Sequence, residues 1–261
     1  MIIDVHAHIF PDAIAAKASL SIAKFYDIPV EQGGSVDALL RLGDEAGIDK
    51  FVVHSVATTP AHVRSVNNFI AASVKAHPDR FIGFGSLHPD MENAADAVAH
   101  MQDEGLRGVK LHPDMQLFAM DEPRALKMFE SFAGRLPLLV HAGDKRYQFS
   151  NPRRIAHAMD CFPEMKVIAA HMGGYSEWDE AAKVLAGRKN IYVDTSSTMF
   201  ELDDVRMMQA IRDFGVENTM FASDYPMWNP KAELEHVKRL GLTDVELQRV
   251  LWGTAAQLFG L

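Results

Sequence analysis

Two histidines separated by one residue lie near the start of the chain, in the segment Asp4-Val5-His6-Ala7-His8. If this segment is a strand, His6 and His8 share a face, because side chains alternate between the two faces of a strand. Two imidazoles on one face can bind a single metal ion through ring nitrogens at ~2.0–2.1 Å. The pair could equally be two hydrogen-bonded histidines in a core, so a metal site requires further ligands.

Three more candidate residues each follow a short apolar run. His141 ends the run 137–141, His171 ends the run 167–171, and Asp224 follows Phe-Ala-Ser at 221–223. Such a run does not need a terminal histidine for packing, because burying an unpaired imidazole is costly. Each histidine could still be a satisfied rim residue, and Asp224 could be a helix cap or turn residue. Their common position after apolar runs makes a shared site the stronger interpretation.

The apolar runs recur along the whole chain and are typical of parallel strands covered on both faces. Most of them start roughly 30 residues apart, which leaves room for a helix in each gap. We predict eight strands, at Ile2–His6, Phe51–Val56, Phe81–Ser86, Gly108–Leu111, Leu138–His141, Val167–Ala170, Ile191–Asp194 and Met220–Ala222.

Capping residues mark helices in the gaps. Asn93 and Asn229 each precede a helical pattern, and Thr243 with Glu246 has the spacing of a capping box. Strands that alternate with helices predict parallel βα units, arranged as an open doubly wound sheet or as a closed barrel. The count of eight favours a single (β/α)8 TIM barrel, of the α/β class, that spans residues 1–261 as one domain.

A barrel would bring the candidate residues together. Active sites of such barrels lie at the carboxyl ends of the strands. We therefore expect one mouth of the barrel to carry His6, His8, His141, His171 and Asp224. The long first gap contains Phe10–Gly34, which we predict covers this mouth.

The ordered set of residues resembles the amidohydrolase superfamily. The matching elements are the histidine pair on strand one, Lys110 on strand four, His141 on five, His171 on six and Asp224 on eight. The resemblance extends from Asp4 to the Gly-Thr-Ala-Ala segment at 253–256. It is greatest to the branch that includes aminocarboxymuconate semialdehyde decarboxylase, resorcylate decarboxylase and pyrone dicarboxylate lactonase. That branch contains both hydrolases and non-oxidative decarboxylases.

The resemblance implies one divalent metal ion bound by His6, His8, His141 and Asp224. Zinc is the first choice, and manganese or iron would suit the same ligands. It also implies that His171 is a catalytic histidine near a metal-activated water. Asp224 could then bind the metal and accept the proton of that water.

Lys110 has three interpretations. In binuclear amidohydrolases the strand-four lysine is carbamylated and bridges two metal ions, which would recruit His141 and His171 to the second ion. An unmodified Lys110 could instead bind a substrate carboxylate as a point charge, and the resemblance to the one-metal branch favours this role. The third interpretation is a lysine paired with an acidic neighbour inside the barrel.

Other polar residues at the predicted rim are weaker candidates. Arg146 follows strand five and could bind a substrate carboxylate through two hydrogen bonds, or could lie in a solvated loop. His112 could contact the substrate or support the site, whereas His54 within strand two is predicted to be a barrel residue.

Composition excludes several other functions. The 261 residues carry a net charge of −9 and are 48% hydrophobic, which argues against non-specific nucleic-acid binding. No apolar stretch approaches the ~18 residues of a membrane span, and the N-terminus lacks the pattern of a signal peptide. Cys161 is the only cysteine, so no internal disulfide can form. We expect a cytoplasmic enzyme, as a monomer or a homodimer, that acts on a small molecule.

Two reactions fit this set of residues. The first is hydrolysis of a C–N or C–O bond in a small carboxylated substrate by a metal-activated water. The alternative is metal-dependent non-oxidative decarboxylation of an aromatic or unsaturated acid, with His171 or Asp224 handling the proton.

Overall fold

A computed structural model describes residues 1–30 and 33–261. Its eight parallel strands form one sheet in sequence order. The strands are β1 (Ile3–His8), β2 (Lys50–His54), β3 (Phe81–Ser86), β4 (Gly108–Leu111), β5 (Leu138–Val140), β6 (Val167–Ala169), β7 (Ile191–Asp194) and β8 (Thr219–Met220).

The sheet closes on itself between its first strand and the residues that end its last. The amide of Val5 donates to the carbonyl of Phe221 at 3.0 Å, and the amide of His8 donates to the carbonyl of Tyr225 at 2.7 Å. These bonds leave no open edge between β1 and β8. The prediction of a (β/α)8 TIM barrel is confirmed.

Helices follow the strands and surround the barrel. They are α1 (Asp12–Tyr26), α2 (Val36–Ala46), α3 (Val63–Ala76), α4 (Ala94–Asp103), α5 (Pro113–Gln116), α6 (Pro123–Phe129), α7 (Pro152–Cys161), α8 (Trp178–Val184), α9 (Asp204–Phe214), α10 (Pro230–Arg239), α11 (Asp244–Gln248) and α12 (Thr254–Phe259). Short 3-10 turns span Pro60–His62 and Val216–Asn218, and a π-helical turn spans Arg249–Gly253. None of the helices within the described ranges is long and apolar enough to cross a membrane.

The predicted caps are present. The side chains of Asn93 and Asn229 accept backbone amides at the starts of α4 and α10. Thr243 and Glu246 form the reciprocal capping box at the start of α11. These side chains satisfy amides that the first helical turn leaves without partners.

Strands β3, β4 and β7 have the predicted bounds, and the other five differ from them by one or two residues at an end. The contacts of β1 and β8 explain their differences. Strand β1 continues to His8, because its register against β2 shifts between Asp4 and Ala7 and pairing then resumes. Strand β8 stops at Met220 because the next two amides leave the ladder. The amide of Phe221 donates to Val250, and the amide of Ala222 donates to the hydroxyl of Thr195.

The lower half of the barrel interior is apolar. Phe84 is fully buried there and its ring meets that of Phe259 from α12 edge to face, with centroids 5.7 Å apart. Gly108 on the neighbouring strand makes room for this ring, since a Cβ at that position would lie 2.3 Å from it. The remaining apolar members of this cluster are Ile3, Val5, Val52, Ile82, Leu139, Ile168, Ala170, Met220, Ala222 and Ala255.

Candidate metal and catalytic site

The histidine pair faces the barrel interior because of the irregularity in β1. Ile3 and Val5 belong to the interior cluster, whereas Ala7 belongs to the cluster between strands and helices. The shift in register therefore changes which residues of β1 point inward. Beyond it, His6 and His8 share the inner face at the carboxyl end of the strand, as the spacing predicted.

His6, His8 and Asp224 form a compact trio of metal-binding atoms. The two Nε2 atoms are 3.3 Å apart, and Oδ1 of Asp224 lies 3.3 Å from His6 and 3.4 Å from His8. Ligands on a tetrahedral ion with bonds of ~2.0–2.1 Å are about 3.4 Å from one another. All three side chains are buried. Their spacing fits one divalent cation better than three direct hydrogen bonds.

The protonation of the trio suits a cation. Burial lowers the pKa of His6 and of His8, which favours the neutral imidazole that metals bind. Burial also raises the pKa of Asp224, but His6 and His8 outweigh it and the net pKa lies well below the ordinary value. Ser197 donates to the second oxygen of Asp224 at 2.6 Å, and the indole of Trp228 donates to Ser197 at 2.7 Å.

His6 is also held from the side away from the trio. Its Nδ1 lies 3.0 Å from Oδ2 of Asp194, the last residue of β7. A carboxylate accepts the Nδ1 proton and leaves the lone pair of Nε2 facing the trio. The prediction from sequence missed Asp194, although it ends a strand at the same rim as the other candidates.

His171 has its own supporting contacts. Its Nδ1 lies 3.1 Å from the carbonyl oxygen and 3.0 Å from the hydroxyl of Ser196. A carbonyl can only accept, so this contact assigns the proton to Nδ1 and turns Nε2 toward the site. The backbone of His171 is left-handed, with φ of 60°, and that of Asp224 is left-handed with φ of 57°. Two predicted catalytic residues thus share a backbone conformation that non-glycine residues rarely adopt.

His141 lines the same cavity as the trio, and its contacts are with other residues of the site. Nδ1 of His141 lies 3.0 Å from Nε2 of His171, and its ring stacks on His112 with centroids 4.1 Å apart. Its Nε2 has no hydrogen-bond partner among the described residues and lies 3.7 Å from Oδ2 of Asp114. Three of the four predicted ligands thus contact one another, and the fourth, His141, contacts His171. This pairing of His141 with His171 is the one that the two-ion alternative requires.

Lys110 lies between these groups at the centre of the site. Its Nζ is 3.0 Å from Nε2 of His6, and the side chain is fully buried. Burial lowers the pKa of Lys110 to about 8, although Asp224 and Asp194 favour its charged form. The interpretation of a lysine paired directly with an acid is not supported, since its hydrogen-bond contact is to a histidine.

A cavity of about 480 Å³ leads from these groups to the surface. Helix α1 forms one wall, which agrees with the prediction that Phe10–Gly34 covers the mouth. Two residues of that segment, Glu31 and Gln32, lie outside the described residues. Tyr26 at the end of α1 contributes its hydroxyl, which lies 2.6 Å from Nε2 of His112 and 3.3 Å from Nδ1 of His141.

The structure does not support the predicted substrate contact of Arg146. Its guanidinium binds both oxygens of Asp144, with Nε to Oδ1 at 3.0 Å and Nη2 to Oδ2 at 2.7 Å, and donates to the carbonyl of Phe25 at 2.8 Å. It also lies over the rings of Phe25 and Tyr26, and it is absent from the described residues that line the cavity. The prediction for Arg146 rested on its charge and its position after strand five. Its neighbouring aspartate satisfies that charge, and the side chain fixes the end of α1.

Comparison with known proteins identifies the family of this chain. The family model described as "Amidohydrolase" matches residues 3–261. The chain belongs to the amidohydrolase family. A gamma-resorcylate decarboxylase from Polaromonas sp. (strain JS666 / ATCC BAA-500) is 25% identical, over 86% of this chain and 87% of that protein.

Two solved structures share the fold of this amidohydrolase chain. An uncharacterized TIM-barrel protein from Bordetella bronchiseptica has a TM-score of 0.81 and 22% identity, and covers 99% of this chain and 98% of its own. A dihydroxybenzoic acid decarboxylase from Polaromonas sp. JS666, solved with manganese and the inhibitor 2-nitroresorcinol, has a TM-score of 0.77 and 18% identity. It covers 100% of this chain and 97% of its own.

One histidine of the site has an environment that the sequence did not suggest. His54 ends β2, is fully buried, and meets His8 edge to face with ring centroids 4.4 Å apart. Neither of its ring nitrogens has a hydrogen-bond partner among the described residues. The expectation of a barrel residue holds for its position, but its unpaired nitrogens also lie within reach of the histidine pair.

Proposed function

We propose that this amidohydrolase removes carbon dioxide from a small aromatic or unsaturated carboxylic acid, using one divalent ion bound by His6, His8 and Asp224. The observation that carries the proposal is the position of Lys110. It is the sole lysine or arginine among the described residues lining an otherwise mainly apolar cavity, and it lies beside the trio. Its ammonium can bind one carboxylate at the floor of that cavity.

The bound ion would act as a Lewis acid toward an oxygen of the substrate. The protein supplies the orientation around it. Asp194 holds the ring of His6, and Ser197 holds the carboxylate of Asp224. Two nitrogens and one carboxylate oxygen suit zinc, manganese or iron, and the ligand types do not choose among them.

His171 is suited to deliver the proton that decarboxylation requires. When the bond between the ring carbon and the carboxylate breaks, carbon dioxide leaves and the electron pair stays on the carbon. Nδ1 keeps its proton on the carbonyl of Ser196, so the imidazolium form of His171 carries a second proton on Nε2, which faces the site and can pass that proton to the carbon. A proton taken up from solvent restores His171 before the next cycle, so each turnover consumes one proton and releases one carbon dioxide.

The apolar walls favour the same reaction. A carboxylate moved from water into an apolar cavity loses hydration, and its charge becomes more dispersed as the bond to carbon breaks. Phe10, Ile22 and Phe69 supply part of these walls. The decarboxylase names of two similar proteins support this choice of reaction.

Hydrolysis is the second candidate, as predicted from the sequence. The observation in its favour is the carboxylate of Asp224, which belongs to the trio and lies 3.3 Å from Nε2 of His6. Such a carboxylate can accept a proton from an attacking water. The same trio, Lys110 and cavity would then bind a lactone or amide that carries a carboxylate.

Metal removal and reloading test both candidates. We expect chelated protein to be inactive, and zinc, manganese or iron to restore release of carbon dioxide from hydroxybenzoates. A parallel panel of carboxylated lactones and amides assays ring or amide opening. Turnover of that panel without release of carbon dioxide would replace decarboxylation with hydrolysis. Restored activity at one ion per chain supports the single site, whereas a requirement for two ions would favour the carbamylated Lys110 alternative.

A further inference from the structure

Helices α1 and α3 line the cavity mainly with apolar side chains, together with the hydroxyls of Ser21 and Ser65. On α1, Ile14, Ala18 and Ile22 follow one another at intervals of four residues, so they lie along one face of the helix. Val66 and Phe69 of α3 line the cavity from another side. Further apolar lining comes from Phe10, Pro11, Val56, Met115 and Met227.

Charge is confined to the floor of the same cavity. Lys110 and Asp224 are the only fully charged types among the described lining residues, and Asp224 belongs to the proposed metal site. The remaining ionisable lining groups are Tyr26 and histidines, of which His62 is exposed. A second carboxylate on the substrate would leave water without a cationic partner, which is costly.

We infer that the substrate is a monocarboxylic acid with an apolar substituent on the side away from the carboxylate, and that Ile22 selects for this substituent. This inference rests on the proposed function for the role of Lys110. The carboxylate lies at Lys110, the ring or unsaturated body fills the middle of the cavity, and the substituent packs between α1 and α3. Acids with a second carboxylate in place of the substituent are rejected.

Binding of unreactive acids tests this inference without turnover. Calorimetry with the metal-loaded protein would compare benzoate, 4-propylbenzoate and benzene-1,4-dicarboxylate, with the 3-substituted isomers measured alongside. We expect the better propyl isomer to bind roughly tenfold or more tighter than benzoate, because it buries additional methylene groups. We expect the dicarboxylates to bind more weakly than benzoate. Dicarboxylates that bind as tightly as the propyl acids would overturn the inference.

A matched pair of variants on α1 tests whether Ile22 determines the preference for an apolar substituent. Ile22→Lys adds a cation to the cavity wall, and should weaken binding of the propyl acid while strengthening that of the dicarboxylate. Leu20→Lys makes the same kind of change two residues away, at a side chain that is 69% exposed and outside the lining. It should leave both affinities unchanged. Equal changes of affinity in the two variants would contradict the role of Ile22. The variant Val66→Lys repeats the test from α3.

These results are separable from a failure of the proposed reaction. If the protein proves to be a hydrolase, the preference for one charge and an apolar group can still appear in the binding series. If no benzoate binds but carbon dioxide is released from another class of acid, the reaction stands and the inferred substrate is wrong. Circular dichroism of each variant checks that loss of binding is not loss of folding.

Discussion

The two ends of the barrel interior are similarly buried but contain different kinds of side chain. At the lower end, Phe84, Leu139 and Ile168 are among the apolar residues that pack against one another and against α12. At the upper end, Lys110 and His54 are as fully buried as those residues, yet both are polar. The same strands supply both ends.

The two ends differ in whether their buried side chains have suitable partners within the protein. At the lower end, apolar side chains pack against one another, and their burial stabilises the barrel. The upper end leaves buried polar atoms without partners among the described residues, including both nitrogens of His54 and Nε2 of His141. Such groups destabilise a fold unless a ligand pairs them. We conclude that the lower end stabilises the fold. The upper end is less stabilising, because its unpaired polar groups are kept for binding and chemistry.

The largest expected effect is at the trio. Asp224→Asn keeps the size of the side chain but removes its charge, so the variant should bind little metal and lose ~10³-fold or more in turnover. Elemental analysis and kcat/KM measure the two losses. Asp203→Asn is the control, since Asp203 caps α9 through a side-chain oxygen that asparagine also offers. Full metal content in Asp224→Asn would remove Asp224 from the metal site.

The next effect separates catalysis from metal binding. His171→Gln should retain the metal and lower kcat by ~10²–10⁴-fold, because it removes the group that transfers the proton. Metal content and kcat are measured on the same preparation, and exposed His157→Gln serves as the control. Loss of the metal together with activity would instead make His171 a ligand, as the two-ion alternative requires.

A substitution at the lower end should change the stability of the fold and leave the activity of the folded protein unchanged. Phe84→Ala leaves a cavity against Phe259 and should lower the free energy of unfolding by ~3–5 kcal/mol. Urea denaturation measures this change, and KM of the folded variant should be unchanged. Val205→Ala, at a residue that is 78% exposed, should change stability by less than ~0.5 kcal/mol. A large change in KM for Phe84→Ala would contradict the division between the two ends.

The smallest effect concerns pH and a buried acid in the helical layer. Burial raises the pKa of Glu233 on α10 from 4.5 to about 8, and Asp224 and Asp4 add to this rise. The unfolded chain releases this proton near the ordinary pKa, whereas the folded chain holds it. Stability should therefore fall as pH rises from about 4.5 to about 8.

Glu233→Gln should flatten that decline in stability without changing kcat. Denaturation midpoints across this pH range measure the slope, with Glu235→Gln on the exposed side of α10 as the control. Parallel slopes in wild type and Glu233→Gln would show that Glu233 does not account for the decline.

Much of the fold and of the candidate site was predictable from the sequence. Strands leave a local pattern of apolar residues, and the position of active sites at one rim is general to barrels of this kind. The apolar runs predicted eight strands, and their carboxyl ends predicted the rim on which the histidine pair and Asp224 meet. The same rule could have identified Asp194, which ends β7. That rule could not predict that Asp144 would bind Arg146, because two neighbouring charged side chains can pair with each other or bind a ligand.

The sequence by itself determined the alternation of strands and helices, the helix caps and the residues available at the rim, since these depend on spacing and residue type. The tertiary structure decided which of those residues touch. The irregularity in β1 turned His6 and His8 inward, left-handed backbone turned His171 and Asp224, and His141 paired with His171. Such contacts depend on the direction of the backbone at strand ends. A shift of one residue there turns a side chain to the other face of the strand, and the pattern of residue types hardly records it.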